Sequence, residues 1–256
     1  MIVKRDIAYN VDNARMVGYL ATPQGVGPWP VVLLSHDGVG LDDYQRRRVD
    51  DLAEHGYLTF ALDYHGGRTF FGQPEAMLER IVPMMADTDR MLSLGRAAMN
   101  VLLAEPGADP NRIAAVGYGA GARIVLELAR AGADFKAVAV IHPGLPLAHA
   151  DDWADKDATY LLSTGSDDPL CTPFQLLELG NTMQQAGLDW RAHIYGGAQH
   201  AFWARPKQGA GTEDAHAERT VPGVGYHATH APRLWHTVLD FVTRSVERLP
   251  APSGRS

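Results

Sequence analysis

Along the chain, short runs of β-branched and aliphatic residues alternate with longer segments whose apolar residues recur every three or four positions. The strand-type runs are "IVKRDIAY" (2 to 9), "ARMVGYLA" (14 to 21), "VVLLS" (31 to 35), "LTFAL" (58 to 62), "IAAVGY" (113 to 118), "KAVAVI" (136 to 141), "TYLLST" (159 to 164) and "WRAHIY" (190 to 195). From "VVLLS" onward they are nearly all apolar, the pattern of strands covered on both faces. Helix-period segments fall at about 43 to 55, about 85 to 105, 120 to 132, 174 to 187 and 231 to 248. Alternation of this kind predicts βαβ crossovers and a mainly parallel sheet with helices on both faces. The first two runs are separated by "NVDN", which predicts an antiparallel N-terminal hairpin. Two stretches follow neither period: 65 to 84, and the polar, glycine-rich 205 to 230, long enough to be either a cover over a site or disordered. One α/β domain is expected over 1–248, with "APSGRS" and the residues before it, 249–256, as a disordered tail.

Composition narrows the functional classes. A chain of 256 residues with 46% hydrophobic and 21% charged residues can bury a sizeable core. Its formal net charge of −7 argues against a nucleic-acid partner. The one basic run, "YQRRRVDD", is followed at once by acids and reads as a helix face. The single cysteine, Cys171, rules out an internal disulfide framework and a Cys-based zinc site. No segment has a signal peptide's apolar core or the roughly 20 apolar residues of a membrane span. The expectation is a cytoplasmic protein, monomer or homodimer, that acts on a small-molecule substrate without metal or cofactor.

The chemistry-bearing candidate is "AVGYGAGARIVLELA" (115 to 129), a strand, a glycine-rich turn and a helix. Gly117-Tyr118-Gly119-Ala120-Gly121-Ala122 matches the local form of a dinucleotide fingerprint, with glycines that let a pyrophosphate approach a helix N-terminus. The next strand, however, ends in His142-Pro143-Gly144 and offers no carboxylate to a ribose. The alternative is a nucleophile elbow, G-x-S/C-x-G, in which Gly117 and Gly121 are the flanks and Gly119 stands at the nucleophile position. That scheme demands an acid and then a histidine downstream. "GSDDPLCTP" places Asp167 and Asp168 just beyond a strand end, and "YGGAQHAFW" places His200 beyond the next. The order 119, 168, 200 is that of nucleophile, acid and base.

These stretches, together with "VVLLSHDGVGLDDYQRRRVDDLAEHGYLTFALDYHGG", resemble the dienelactone hydrolase family over roughly residues 15 to 245. The resemblance implies an α/β-hydrolase fold. It also implies Asp168 as the triad acid, His200 as the base and the backbone N–H groups of Gly38 and Ala120 as oxyanion donors. Asp37 stands where the family's elbow-partner carboxylate, usually Glu, lies. The departure is Gly119, where the family writes G-Y-C-F-G-G and this chain reads G-Y-G-A-G-A.

Three explanations of that departure stand side by side. An engineered Cys→Gly or Ser→Gly replacement would change one residue, whereas three of the family's positions differ here. A binding or regulatory pseudohydrolase would place no demand on His200 and Asp168. An enzyme without a covalent intermediate would keep them as a His–Asp base for cyclisation, elimination, isomerisation or direct attack of water on a lactone.

The remaining candidates are weaker. His36, Asp37, Tyr64, His65, Phe202 and Trp203 lie at strand ends or beside His200 and are expected to line a pocket, with packing as the alternative for each. Asp37 is either a second acid or base near Gly119 or the partner of a cation such as Arg123. Cys171 reads as a small residue of the acid loop, Asp167 as solvated, His142 as structural and Tyr118 as packed under the sheet. His216, His227 and His230 suggest a metal cluster, but their segment reads as a solvated loop. Ser35, Ser163 and Ser166 lie near the sheet edge and on no elbow.

Overall fold

A computed structural model of the chain describes residues 1–143, 153–154, 157–204 and 222–247. The chain opens with a hairpin of β1 (Ile2–Val11) and β2 (Ala14–Pro23), antiparallel across the two-residue turn Asp12-Asn13. Asp12 takes a positive φ of 52°, as the tight turns that match strand twist require. There follow β3 (Trp29–Ser35), α1 (Asp43–Glu54), β4 (Leu58–Leu62), α2 (Pro74–Met85) and α3 (Thr88–Leu103). Then come β5 (Ala108–Tyr118), α4 (Ala120–Arg130), β6 (Ala137–Ile141), β7 (Thr159–Gly165), α5 (Pro173–Gln185), β8 (Asp189–Tyr195) and α6 (His230–Val246).

The eight strands form one sheet in the order β1-β2-β4-β3-β5-β6-β7-β8. β4 pairs antiparallel with β2, and from there to β8 every pairing is parallel. This is the mainly parallel, helix-covered sheet expected from the alternation of strand and helix patterns, in the α/β-hydrolase arrangement that the family resemblance implies. Residues one apart on a strand point to opposite faces, so "VVLLS" divides between two cores. Val31 and Leu33 pack with Leu94, Ala98, Val125 and Leu128 of α3 and α4. Val32 and Leu34 pack with Leu52 of α1 and Phe241 and Val242 of α6.

The sequence pattern did not predict α2. Its segment "PEAMLERIVPMM" starts on a proline, holds Pro83 in its last turn and buries only Ile81 and Met84, while Leu78 and Val82 are exposed. The apolar period is therefore blurred, and the prolines read as breakers although Pro74 at the first helical position is a favourable start. Part of the long polar stretch is also ordered against the body of the protein. Residues 222–230 turn back onto the His200 loop, whereas 205–221 and the expected tail lie outside the described residues. No helix among the described residues is long and apolar enough to cross a membrane.

Candidate active site

The glycine turn joins the C-terminal end of β5 to α4, and its three glycines differ in what they tolerate. A Cβ on Gly117 would stand 2.5 Å from Ala122 Cα, and one on Gly121 would stand 2.1 Å from the His36 carbonyl oxygen. Both distances are impossible, so the close passage of α4 over β3 and β5 fixes these residues as glycine. Gly119 is different. It holds φ 53° and ψ −122°, yet a Cβ there would meet nothing nearer than Asp37 Cβ at 3.5 Å and His142 Cε1 at 3.6 Å. The turn thus has an elbow's strained backbone, with steric exclusion at its flanks and ordinary contact distances at its centre.

Asp168 follows β7 and His200 follows β8, on the same edge of the sheet as Gly119. The two loops touch closely: a Cβ on Gly165 would lie 2.0 Å from the Ala198 carbonyl, and Asp167 N–H donates to that same oxygen at 3.0 Å. The result is a His200 Nδ1 at 2.9 Å and 3.1 Å from the two Asp168 carboxylate oxygens. Asp168 is buried, and its Oδ1 also accepts from the N–H groups of Leu170 and Cys171. Burial alone would raise the carboxyl, but the hydrogen bond and charge of His200 and the backbone donor outweigh it and hold it below its ordinary pKa. The His200 ring keeps 17% of its side-chain surface exposed. The segment 222–230 steadies it from behind: His200 N–H donates to Gly223 O at 2.9 Å, and Gly225 N–H donates to His200 O at 3.0 Å.

The loop after β3 carries Asp37 and Gly38, and buried side chains clamp its carbonyls. The Tyr64 hydroxyl donates to the carbonyls of His36 and Asp37 at 2.9 and 2.5 Å. His36 Nδ1 donates to Asp37 O at 2.7 Å, and His65 Nε2 donates to Gly38 O at 2.9 Å. In a trans peptide the N–H points opposite to the carbonyl. Holding the Asp37 carbonyl on the buried side therefore turns the Gly38 N–H the other way. Met77 and Ile81 of α2 close over Gly38, where a Cβ would meet their side chains at 3.0 and 3.1 Å.

Asp63, at the end of β4, anchors this clamp. Its carboxylate accepts from the N–H groups of Val17, His65 and Gly67 at 2.8, 2.7 and 2.6 Å, and His36 Nε2 lies 3.8 Å away. Burial opposes its ionisation, yet His36 and the backbone donors bring its pKa down to about 2. Burial lowers His65 to about 3 and pushes the Tyr64 phenol well above its ordinary value. His36, Tyr64 and His65 are thus buried donors to the loop that carries Asp37 and Gly38.

His142, read from the sequence as structural, comes into the centre of the site. It directly follows β6, at a positive φ of 38°, and is fully buried. Its ring sits 4.3 Å from that of His200, edge to face, and accepts at Nε2 from the indole N–H of Trp203. The sequence signal that could have found it is its position at a parallel strand's C-terminal end, on the same edge as the elbow. Asp63, directly after β4, carries the same signal.

The other candidates fall into place around this core. Tyr118 is buried against Trp203, and Phe202 packs on Tyr195. Arg123 lies 3.3 Å from the Met85 carbonyl and 4.0 Å from Glu127, on the helix that follows the elbow. Asp37 Oδ1 accepts from Val39 N–H at 3.1 Å. Cys171 is buried, and burial and the Asp168 charge push its thiol up to about 12, far from a nucleophile's range. His227 and His230 are half-buried, their rings tilted 35° to each other at 4.3 Å, and His230 Nε2 contacts Gly196 O at 3.1 Å on the exposed side. His216 lies outside the described residues.

Ligand atoms of His142, Asp168 and His200 lie within 4.8 Å of one another, a spacing that a metal ion could bridge. The donor set fits such an ion poorly, because Asp168 and His200 Nδ1 are bonded to each other and His142 Nε2 to Trp203. A cleft of about 370 Å³ lined by Arg96, Asn100, Ile113 and Asp134 lies at the opposite end of β5 and touches none of these residues.

Comparison with known proteins agrees with this architecture. A solved structure named m3DLH superposes with a TM-score of 0.83 at 28% identity, covering 95% of this chain and 98% of its own. A dienelactone hydrolase-like promiscuous phosphotriesterase, P91, from metagenomic libraries superposes at 0.82 with 27% identity and the same coverage. A Bradyrhizobium protein named a probable 2-oxo-3-(5-oxofuran-2-ylidene)propanoate lactonase is 27% identical over 207 residues, 77% of this chain and 82% of that protein. The model of the dienelactone hydrolase family matches residues 16–246, and with the sheet, the elbow and the His–Asp pair in view, the chain belongs to that family.

Proposed function

We propose that this protein hydrolyses a lactone, or a similarly small cyclic carbonyl compound, by direct attack of water and without an acyl-enzyme. The lactone class follows the family and the name of the Bradyrhizobium relative. The observation that carries the mechanism is the pairing of an intact His200–Asp168 hydrogen bond at 2.9 Å with an elbow whose central residue, Gly119, has no side chain to acylate.

Asp168 accepts the Nδ1 proton of His200 and so leaves Nε2 as the acceptor. His200 then removes a proton from water as its oxygen bonds to the carbonyl carbon, a step worth about 10²- to 10⁴-fold. Charge that develops on the carbonyl oxygen is met by two backbone donors. One is the N–H of Gly38, aimed by the clamp of Tyr64 and His36. The other is the N–H of Ala120, in the first turn of α4, where amides have no acceptor inside the helix. Collapse breaks the ring C–O bond, and the proton on His200 passes to the leaving oxygen. The same base would serve proton abstraction beside a carbonyl, so elimination or isomerisation uses the identical residues.

The test is kinetic and uses dihydrocoumarin as the probe lactone. His200→Ala should abolish its hydrolysis, and intact-mass spectrometry of the working enzyme should detect no covalent adduct. Turnover that survives His200→Ala would refute the proposal.

A further inference from the structure

We propose that His65 is a positioning residue for catalysis, whose Nε2–H holds the Gly38 carbonyl and so fixes the direction of the Gly38 N–H that meets charge on the substrate. The proposal rests on the direct-attack reading and adds to it the residue that completes the aim of one of its two donors.

Three observations carry it. First, the loop after β3 is bound at every carbonyl from His36 to Val39, each by a donor from the segment that follows β4. Tyr64 donates to the carbonyls of His36 and Asp37, His65 to that of Gly38, and the Phe70 N–H to that of Val39 at 2.8 Å. The N–H groups of Val39 and Gly40 are also taken, by Asp37 Oδ1 at 3.1 Å and the Asp37 carbonyl at 3.2 Å. The Gly38 N–H has no acceptor among the described residues.

Second, no Cβ limits φ and ψ at a glycine, so its N–H is aimed only when the peptide planes on both sides are held. Tyr64 and His36 hold the plane before Gly38 through the Asp37 carbonyl. The plane after it is held at its N–H by Asp37, which belongs to the loop itself, and at its carbonyl by His65. His65 is therefore what ties that plane to the end of β4. One held plane leaves the residue free to pivot, whereas two leave the N–H a single direction.

Third, the ring is itself locked. The Gly38 carbonyl can only accept, so Nε2 carries the proton and the neutral ring is bare at Nδ1, which is buried without a partner among the described residues. The His65 backbone N–H donates to Asp63 at 2.7 Å, and the Phe70 ring meets the imidazole edge to face at 4.8 Å. A Cβ on Gly40 would lie 3.3 Å from His65 Cδ2, so the loop rests directly on the ring. Charge on the carbonyl oxygen develops only as water adds, so a misaimed donor costs rate and not substrate binding. A displacement of about 1 Å in such a group costs about 10²-fold.

Two experiments test the assignment. Long-range ¹H–¹⁵N spectra of the wild-type protein should show His65 protonated at Nε2 and bare at Nδ1. The opposite tautomer overturns the proposal without reference to any substrate. In dihydrocoumarin hydrolysis, His65→Leu should lower kcat by about 10²-fold with KM little changed, and His65→Gln, whose amide nitrogen reaches the position of Nε2, should recover most of that loss. The same variants are assayed on the thionolactone analogue of dihydrocoumarin, whose sulfur accepts hydrogen bonds only weakly. The ratio of oxo to thiono rates should fall in His65→Leu and return in His65→Gln, and it does not depend on how much of a variant is folded. A ratio in His65→Leu equal to that of the wild type would mean that His65 only supports the fold, and would overturn the proposal. If that ratio is unchanged while His200→Ala is dead, the role of His65 fails and the base reading stands. If His200→Ala is itself active, the base reading fails first.

Discussion

Asp37 stands one van der Waals contact from the point where a Gly119 side chain would begin, its Cβ 3.5 Å from that point. The turn at Gly119 has room for a side chain and carries none. Glycine also suits the φ of 53° there, since it adopts left-handed conformations without the cost an L side chain meets.

Restoring a side chain should therefore restore covalent chemistry. Gly119→Cys and Gly119→Ser are expected to fold, at a cost of about 1 to 2 kcal/mol for the left-handed backbone. They should acquire esterase activity on p-nitrophenyl acetate, seen as a burst of nitrophenol and a mass increment on the protein.

The flanking glycines should behave in the opposite way. Gly117→Ala and Gly121→Ala force contacts of 2.5 and 2.1 Å with backbone atoms and are expected to destabilise by more than about 3 kcal/mol. Urea unfolding of the two variants beside Gly119→Ala measures the contrast. Equal losses at all three positions would mean that the turn has another shape.

Asp168→Asn should remove the acceptor that selects the His200 tautomer and lower lactone turnover by about 10²- to 10⁴-fold. Its carboxyl is held below the ordinary value, so its contribution to stability is present above the unfolded pKa and is lost as pH falls through the folded one. The acid limb of the stability curve should accordingly be shallower in Asp168→Asn.

His65 carries a larger acid sensitivity of the opposite origin. Burial lowers its imidazole from 6.5 to about 3, so between those values the unfolded chain binds a proton that the folded chain does not. Stability should fall by up to about 1.4 kcal/mol per pH unit as pH drops below 6.5. Asp63, at about 2 against an ordinary 3.8, adds its own loss only below 3.8. Melting temperatures from pH 7 to 4 should fall steeply for the wild type and less steeply for His65→Gln. Parallel curves would mean that His65 is not held neutral.

Much of this was legible in the sequence because it depends on local pattern. All eight strands show as short strand-type runs, and the G-x-G-x-G turn, "SDDP" and "QHAFW" lie where strands end, so Gly119, Asp168 and His200 fall on one edge by topology alone. What stayed hidden depends on partners far apart in sequence. His142 gains its meaning from Trp203, 61 residues away, and Asp63 from the amide of Val17, 46 away. His36, Tyr64 and His65 were expected to line a pocket, but only the folded chain reveals that their polar atoms turn inward to backbone carbonyls. The helix α2 escaped because its exposed Leu78 and Val82 break the amphipathic period.

The central claim is that His200 acts as a base upon water and not upon a protein nucleophile. The most direct measurement is the value of kcat/KM for dihydrocoumarin in wild type and His200→Ala, with intact mass recorded during turnover. The account predicts a loss of at least about 100-fold in the variant and an unmodified mass in the wild type. Hydrolysis by His200→Ala at the wild-type rate, or an acylated wild-type chain, would contradict it.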